Sequence, residues 1–123
     1  MQTHGLFPFR GRPLHGSANP RDELKKKIDE NLVTVVEALP AEYYLDKHLP
    51  GALNLPHDQV DALAPQLLPN KDAEIATYCA NGPCPNSGIA ADRLVELGYT
   101  NVYEYYEGKE DWVGAGLPTE SGA

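Results

Sequence analysis

Two cysteines, Cys79 and Cys84, stand five positions apart and are the only cysteines in this chain of 123 residues. A cysteine thiolate is a strong nucleophile and a soft metal ligand, so cysteine pairs serve covalent catalysis, disulfide exchange or metal binding. A disulfide that closes so short a segment would stabilise the fold little, because the entropy it removes from the unfolded chain grows with loop length. Chemistry or metal binding is therefore a better explanation of this pair than architecture.

The position of Cys79 in the chain favours a reactive role. It ends a predicted strand that begins at Ile75, and a helix is predicted from Ser87 to Leu97 with Gly98 as its stop. The loop between strand and helix is too rich in Gly, Pro and Asn to be either element. The sulfur would then lie beside unpaired backbone N–H groups at a helix N-terminus, which stabilise a thiolate and lower its pKa.

The loop and the start of the helix supply the candidate substrate-binding residues. Their backbone N–H groups could hold a thiolate, or an anion bonded to it, and the two loop prolines are excluded because they have no N–H. The candidates are Ala80, Asn81, Gly82, Cys84, Asn86, Ser87 and Gly88. The side chains of Asn86 and Ser87 could also contact substrate, although helix capping is the commoner role of these residue types.

Several alternatives remain open at this stage. Cys79 could be a small buried hydrophobe, and Cys84 could be a resolving thiol, a disulfide partner or a spectator. We expect no metal site, because a zinc site needs more ligands than two cysteines and the spacing to His48 and His57 does not fit one. We expect His48 to bond backbone groups near the strand ends and Trp112 to pack in the core.

The elements around the loop predict an α/β fold. Three further strand-like segments are Val33–Glu37, Ala52–Leu55 and Asn101–Tyr106, and they alternate with predicted helices. Alternation of this kind indicates a parallel sheet with helices on both faces, in which ligands bind at the carboxyl ends of the strands. One of the helices, after Asp58, is predicted to be interrupted at Pro65. The pattern therefore places Cys79 at the edge of the sheet where ligands bind.

Length and charge restrict the possible partners. We predict a flexible N-terminal arm over residues 1–18 and a single domain over 19–120. The net charge of −8 disfavours binding to nucleic acid and to anionic membranes. No segment is apolar enough to span a bilayer and no signal peptide is recognisable, so we expect a cytoplasmic protein with reduced thiols.

Four motifs in register resemble the family of single-domain rhodanese-like proteins. The first combines Glu42-Tyr43-Tyr44 with His48-Leu49-Pro50-Gly51-Ala52-Leu53-Asn54, which is similar to the family's first signature. The others resemble the entry to the catalytic loop, its exit and the closing pattern of the family. They are Tyr78-Cys79-Ala80-Asn81-Gly82, then Ser87 with Ala90-Ala91, and finally Asn101-Val102 followed by Gly108, Trp112, Gly116 and Pro118.

The resemblance implies a five-stranded parallel sheet flanked by helices on both faces, and it implies a sulfurtransferase. In such an enzyme Cys79 takes a sulfane sulfur as a persulfide and passes it to a thiol or a cyanide-like acceptor. The implied partners are a small-molecule sulfur donor with a thiol acceptor, or a sulfur-accepting protein. No cofactor is implied.

This chain departs from the family pattern at two positions that usually carry arginine. Asn86 stands in place of the loop arginine, in a loop two residues longer than usual, and Leu39 stands in place of the second. A phosphatase is disfavoured, because the loop has no guanidinium to hold an oxyanion. Two other functions stay open beside the enzyme: a rhodanese-like sulfur carrier or interaction module without turnover, and a thiol–disulfide exchanger that uses Cys79 and Cys84.

Overall fold

The structure is a computed structural model, and it describes residues 6–9, 20–81 and 84–122, with only the backbone described for 6–9 and 20. Strands and helices alternate after the first strand. The strands are β1 (Leu6–Phe9), β2 (Thr34–Glu37), β3 (Leu53–Asn54), β4 (Glu74–Tyr78) and β5 (Asn101–Tyr105). The helices are α1 (Pro20–Asp29), α2 (Ala41–Asp46), α3 (Val60–Leu67), α4 (Asn86–Glu96) and α5 (Gly108–Gly114).

The strands form one sheet in the order β1-β5-β4-β2-β3. Strands β2, β3, β4 and β5 are parallel, whereas β1 pairs with β5 in the antiparallel direction. The predicted α/β class, a parallel sheet flanked by helices, is confirmed. The expected number of parallel strands is corrected from five to four.

Strand β1 lies within the segment that the sequence analysis assigns to a flexible arm. Its backbone pairs with β5 from Leu6 opposite Tyr105 to Phe9 opposite Val102. These four residues of the predicted arm are thus extended and paired, because the outer edge of β5 offers N–H and C=O groups that an extended segment can bond. The rest of the arm lies outside the described residues, and the domain limits at 19 and 120 stay a prediction.

Two apolar cores, one on each face of the sheet, hold the helices in place. Val36, Ile75 and Val102 point to the face that α3 and α4 cover. On the opposite face, β-strand side chains pack with Leu24 of α1 and Trp112 of α5. Since neighbouring residues of a strand point to opposite faces, both cores come from the same short strands.

Helix α3 continues through Pro65 to Leu67, so the predicted interruption is wrong. Pro65 is exposed and lies near the end of the helix. The backbone N–H of Leu68 still donates to the carbonyl of Ala64 at 2.7 Å, which shows that the helical bonding resumes after the proline. The helix loses one hydrogen bond at Pro65 and not its whole last turn.

No helix in the described ranges has the length and the apolar character needed to cross a membrane.

Candidate functional site

Cys79 is the first residue after β4 and lies at the carboxyl end of the parallel strands. Its side chain is fully buried, with 0% exposure. The predicted strand ended on Cys79 and the observed one ends at Tyr78, which leaves the position of the thiol at the sheet edge as expected. A cysteine at this place is held by the sheet on one side and by the following loop on the other.

The first turn of α5 fixes the start of this loop. The backbone N–H of Lys109 donates to the carbonyl of Cys79 at 2.9 Å, and that of Glu110 donates to the carbonyl of Ala80 at 2.8 Å. Gly108 makes this approach possible, because it has φ +73° and a Cβ at this position would lie 2.6 Å from the Cys79 carbonyl oxygen. Two N–H groups at the start of α5 thus donate to the carbonyls of Cys79 and of the residue that follows it.

The structure joins Cys79 and Cys84 in a disulfide, with their Cα atoms 6.3 Å apart. Cys84 is partly exposed, in contrast to Cys79. Its backbone N–H donates to the carbonyl of Asn81 at 3.2 Å, so it is not a free donor for substrate in this state. Of the open interpretations of Cys84, the structure shows the disulfide partner, and the role of a resolving thiol stays a prediction.

Helix α4 begins at Asn86 without any side-chain cap. The backbone N–H groups of Asn86, Ser87 and Gly88 have no hydrogen-bond acceptor within the described residues. The prediction that Asn86 or Ser87 caps the helix is wrong, because the Ser87 hydroxyl donates instead to a carboxylate oxygen of Glu104 at 2.6 Å. Among the residues that the structure describes, the first donors of α4 therefore have no acceptor, and they follow directly after the loop.

Glu104 places a carboxyl group beneath the first turn of α4. Its side chain is buried near the carboxyl end of β5, beside Thr77, whose hydroxyl donates to the Ser87 carbonyl at 3.0 Å. Burial raises the pKa of Glu104, the Ser87 hydroxyl partly offsets this, and the negative charge of Asp92 raises the pKa further. The cluster ties β4, β5 and α4 together directly behind the loop.

A second buried carboxylate, Glu37, lies at the carboxyl end of β2. Its two oxygens accept hydrogen bonds from the Tyr78 hydroxyl at 2.6 Å and from the Lys109 ammonium at 2.9 Å. The Tyr78 oxygen in turn accepts a bond from the backbone N–H of Leu49 at 3.1 Å. Burial and the nearby Glu37 charge raise the pKa of Tyr78, which keeps its hydroxyl protonated as the donor. Lys109 supplies the countercharge that a buried carboxylate needs.

The sequence analysis did not identify these two carboxylates. Each shows one usable signal: an acidic residue inside or at the end of an otherwise apolar strand. Glu37 closes the β-branched run of β2, and Glu104 separates Tyr103 from Tyr105 in β5. Buried acids are rare without partners, so acids at inward-facing strand positions predict paired groups, although the identity of the partner needs the fold.

The other candidate residues are placed as follows. Ala80 and Asn81 follow Cys79 directly, and the Asn81 amide lies 3.4 Å from a carboxylate oxygen of Glu110. Gly82 lies outside the described residues. The structure brings Ala80, Asn81, Cys84 and the start of α4 to one loop, and their binding of substrate stays a prediction.

His48 and Trp112 have the structural positions expected of them. The Nδ1 atom of His48 lies 2.8 Å from the carbonyl of Tyr44, and Trp112 is fully buried with its indole N–H donating to Pro118. Across the described parts of the chain, no group of three or more His, Cys, Asp or Glu residues could hold a metal ion. Arg93, the arginine that follows Cys79 along the chain, pairs with Asp61 and not with the loop.

Comparisons with known proteins agree with this fold. A family model described as Rhodanese-like domain matches residues 20–115. The HTH-type transcriptional regulator Rv0324 of Mycobacterium tuberculosis is 31% identical over 103 residues, which are 84% of this chain and 44% of that protein. The thiosulfate sulfurtransferase PspE of Escherichia coli is 36% identical over 61 residues, 50% of this chain and 57% of that protein. The chain thus spans about half the length of these curated relatives.

Solved structures show the same architecture. The BH2092 protein of Bacillus halodurans superimposes with a TM-score of 0.75 at 27% identity, over 82% of this chain and 74% of that one.

Proposed function

This chain belongs to the family of rhodanese-like domains, and from that premise we propose that it transfers sulfane sulfur as a persulfide on Cys79. The relative named as a thiosulfate sulfurtransferase supports sulfur transfer in general. The observation that carries the proposal is the position of Cys79 at the carboxyl end of β4, where α5 holds its carbonyl and a short loop leads to the start of α4. The domain proposed to do this covers residues 19–120.

The chemistry follows from this environment once the disulfide is reduced. The Cys79 thiolate attacks the outer sulfur of a donor, a new S–S bond forms on Cys79, and the rest of the donor leaves with the electron pair of the broken bond. Unpaired N–H groups stabilise the negative charge of the thiolate and of the persulfide anion, which is why the start of α4 is an appropriate neighbour. The acceptor, a thiol, cyanide or a protein thiol, then removes the outer sulfur by the same type of displacement.

A sulfur carrier without turnover is the first alternative within the proposal. Neither Leu39 nor Asn86 can supply the positive charge that an arginine would give to an anionic donor. Such a protein would accept one sulfur per molecule and hold it until a sulfur-accepting protein binds. A cytoplasmic setting, in which thiols are reduced, belongs to the proposal in either form.

Thiol–disulfide chemistry is a second candidate, and the disulfide between Cys79 and Cys84 favours it. In this reaction the Cys84 thiolate attacks the Cys79 sulfur of a persulfide. The Cys79–Cys84 bond forms, the bond to the outer sulfur breaks, and the outer sulfur leaves as hydrosulfide with the electron pair. A reducing thiol must then restore the protein before it can accept sulfur again.

The experiment compares reduced wild type, Cys79→Ser and Cys84→Ser in loading with sulfane donors and in cyanolysis. We expect Cys79→Ser to gain no sulfur by intact mass and to lose at least about a hundredfold in the rate of thiocyanate formation, because it lacks the nucleophile. Cys84→Ser should load normally and keep its cyanolysis rate within about threefold. An active Cys79→Ser protein would overturn the assignment.

The same loaded proteins separate the candidate functions. An enzyme forms many thiocyanate molecules per chain, whereas a carrier stops after one. After the donor is removed, hydrosulfide release and loss of the added sulfur from wild type, but not from Cys84→Ser, indicate a resolving Cys84. Equal lifetimes of the persulfide in the two proteins would show that Cys84 is a bystander.

A further inference from the structure

A pocket of about 420 Å³ opens beside the start of the loop, next to Ala80. The carbonyl of Ala80 is bonded by the N–H of Glu110, and the carbonyl of Cys79 by that of Lys109, and both of these α5 residues also line the pocket. The pocket therefore lies one residue along the chain from Cys79, whose buried side chain is not part of its lining. Its volume is in the range that small organic ligands occupy.

The lining is mainly apolar. Leu39, Tyr43, Ala80 and Val113 contribute to it. Tyr43 and Val113 keep 51% and 39% of their surface exposed, although both are large and apolar. Binding of a ligand that covers such side chains is favoured by about 25 cal/mol for each Å² of apolar surface removed from water.

The charges of the pocket do not suit a ligand with two negative charges. Its lysines are Lys47 and Lys109, and its carboxylates are Asp46 and Glu110. The ammonium of Lys109 is already bonded to Glu37 at 2.9 Å and to the Tyr43 carbonyl at 3.1 Å. With Glu37 included, three carboxylates face two ammonium groups, so the region carries a net charge of about −1. A dianion would be repelled here, and its desolvation would not be offset.

Resting on the proposed function, we propose that this pocket binds the sulfur donor and selects a small organic persulfide or thiosulfonate with an apolar group over inorganic thiosulfate. In this proposal the apolar group lies between Tyr43 and Val113, and the sulfane sulfur lies at the side of the pocket that Ala80 forms, next to the loop. For a persulfide R–S–SH, the Cys79 thiolate bonds to the outer sulfur, the donor S–S bond breaks and R–S⁻ leaves with its electron pair. The product is the Cys79 persulfide, and no oxidant or reductant is consumed in the transfer.

The test uses three donors that transfer sulfur by breaking one bond to the sulfane sulfur. Methanethiosulfonate and benzenethiosulfonate carry one negative charge and differ in their apolar group, whereas thiosulfate carries two charges and has none. The rate of loading of reduced protein is followed by intact mass, and each rate is divided by that of a free thiol with the same donor. We expect the benzene compound to exceed the methane compound by at least about tenfold and thiosulfate to be slowest.

A pair of variants tests the pocket itself. Val113→Asp puts a charge into the apolar lining, and we expect it to lower the ratio of the benzene to the methane compound by about fivefold or more. The matched control is Leu32→Asp, at another exposed apolar residue that does not line the pocket, and it should leave the ratio unchanged. Comparing two donors of equal charge cancels the direct effect of the added carboxylate on an anion.

The outcomes separate this inference from the proposed function. Loading of Cys79 by all three donors without preference, or a ratio that Val113→Asp does not change, would overturn the pocket assignment and leave sulfur transfer standing. Faster loading by thiosulfate than by the benzene compound would do the same. Loading by none of the three donors would contradict the proposed function and this inference together.

Discussion

Glu104 is a carboxyl group that the fold keeps away from water immediately behind the candidate site. Its hydrogen bond from Ser87 and the nearby charge of Asp92 have opposite effects on its ionisation, and burial is the largest effect. Because burial disfavours the charged form, the pKa of Glu104 is raised above the usual 4.5. The stability of the protein should therefore depend on pH through this residue.

We predict that Glu104→Gln removes a pH-dependent loss of stability. A carboxyl group whose pKa is raised in the folded state contributes stability that is fully present below its unfolded pKa of about 4.5, and this contribution is lost as pH rises through the raised folded value. The free energy of unfolding of Glu104→Gln, relative to wild type, should thus increase from pH 4 to pH 8. Urea unfolding of both proteins across this range measures the difference.

Ser87→Ala provides the matched comparison for Glu104. The Ser87 hydroxyl stabilises the ionised carboxylate, so its removal should raise the pKa of Glu104 further and extend the loss of stability to higher pH. Greater exposure of Glu104 to water would instead lower this pKa. A difference between Glu104→Gln and wild type that stays constant with pH would contradict the assignment of a raised pKa to this group.

At the scale of elements, the contact between α5 and the end of β4 determines where the cysteine lies. Gly108 allows this contact by its left-handed backbone and its missing Cβ. Because the carbonyls of Cys79 and Ala80 are both bonded to α5, the loop can change its conformation only after Ala80. The geometry of the thiol therefore depends on a residue that is distant in sequence and carries no chemistry.

We predict that Gly108→Ala destabilises the protein and slows sulfur loading of Cys79. Its Cβ would lie 2.6 Å from the Cys79 carbonyl oxygen, so α5 or the loop must move. Gly116→Ala is the matched control, because Gly116 has a similar φ of +78° and nothing within 4 Å of the added atom. Urea unfolding should give a loss of about 1 kcal/mol for Gly116→Ala and at least about 2 kcal/mol more for Gly108→Ala. Equal losses and equal loading rates would show that the contact is unimportant.

The elements that the sequence predicts well are those whose pattern is decided locally. The β-branched run before Glu37 and the apolar face of α4 are strong local signals, and Gly98 stops α4 with φ +102° as expected. Pro65 and the cap of α4 were predicted wrongly. The helix resumes its own bonding after Pro65, whereas a tertiary bond decides the cap. Ser87 finds Glu104 only after β5 is in place, and no local pattern contains this information.

At the scale of the whole molecule, β1 covers the outer edge of β5. Its Pro8 stands opposite Tyr103 in an edge strand, where a residue without an N–H costs little. Exposed edges of sheets invite pairing with other chains. Strand β1 therefore protects the sheet next to the candidate site from such association.

We predict that deletion of residues 1–9 lowers the melting temperature by about 5 °C or more and promotes association, because it exposes the edge of β5. Deletion of residues 1–5 is the control, since it leaves β1 intact. Thermal unfolding and light scattering after size-exclusion chromatography measure the two effects. A monomer with unchanged melting temperature after the longer deletion would show that β1 does not support the sheet.

At this scale the location of the site in the fold could be predicted from the sequence, but the contacts between its side chains could not. The alternation of strands and helices predicts that the end of β4 is the ligand edge, and Cys79 lies there. The sequence could not predict the pairing of Lys109 with Glu37, because these residues are 72 positions apart and meet only in the folded chain. The same is true of the pocket, whose walls come from distant segments.

The different exposure of the two cysteines makes one sulfur of the disulfide more accessible to attack than the other. Cys79 is fully buried while Cys84 is partly exposed, so a thiol that arrives from solvent meets the Cys84 sulfur first. Attack there leaves the incoming thiol bonded to Cys84 and expels Cys79 as the thiolate. For the proposed sulfur transfer, the bond would act as a protecting group that shields Cys79 from irreversible oxidation until a thiol from solvent reduces it.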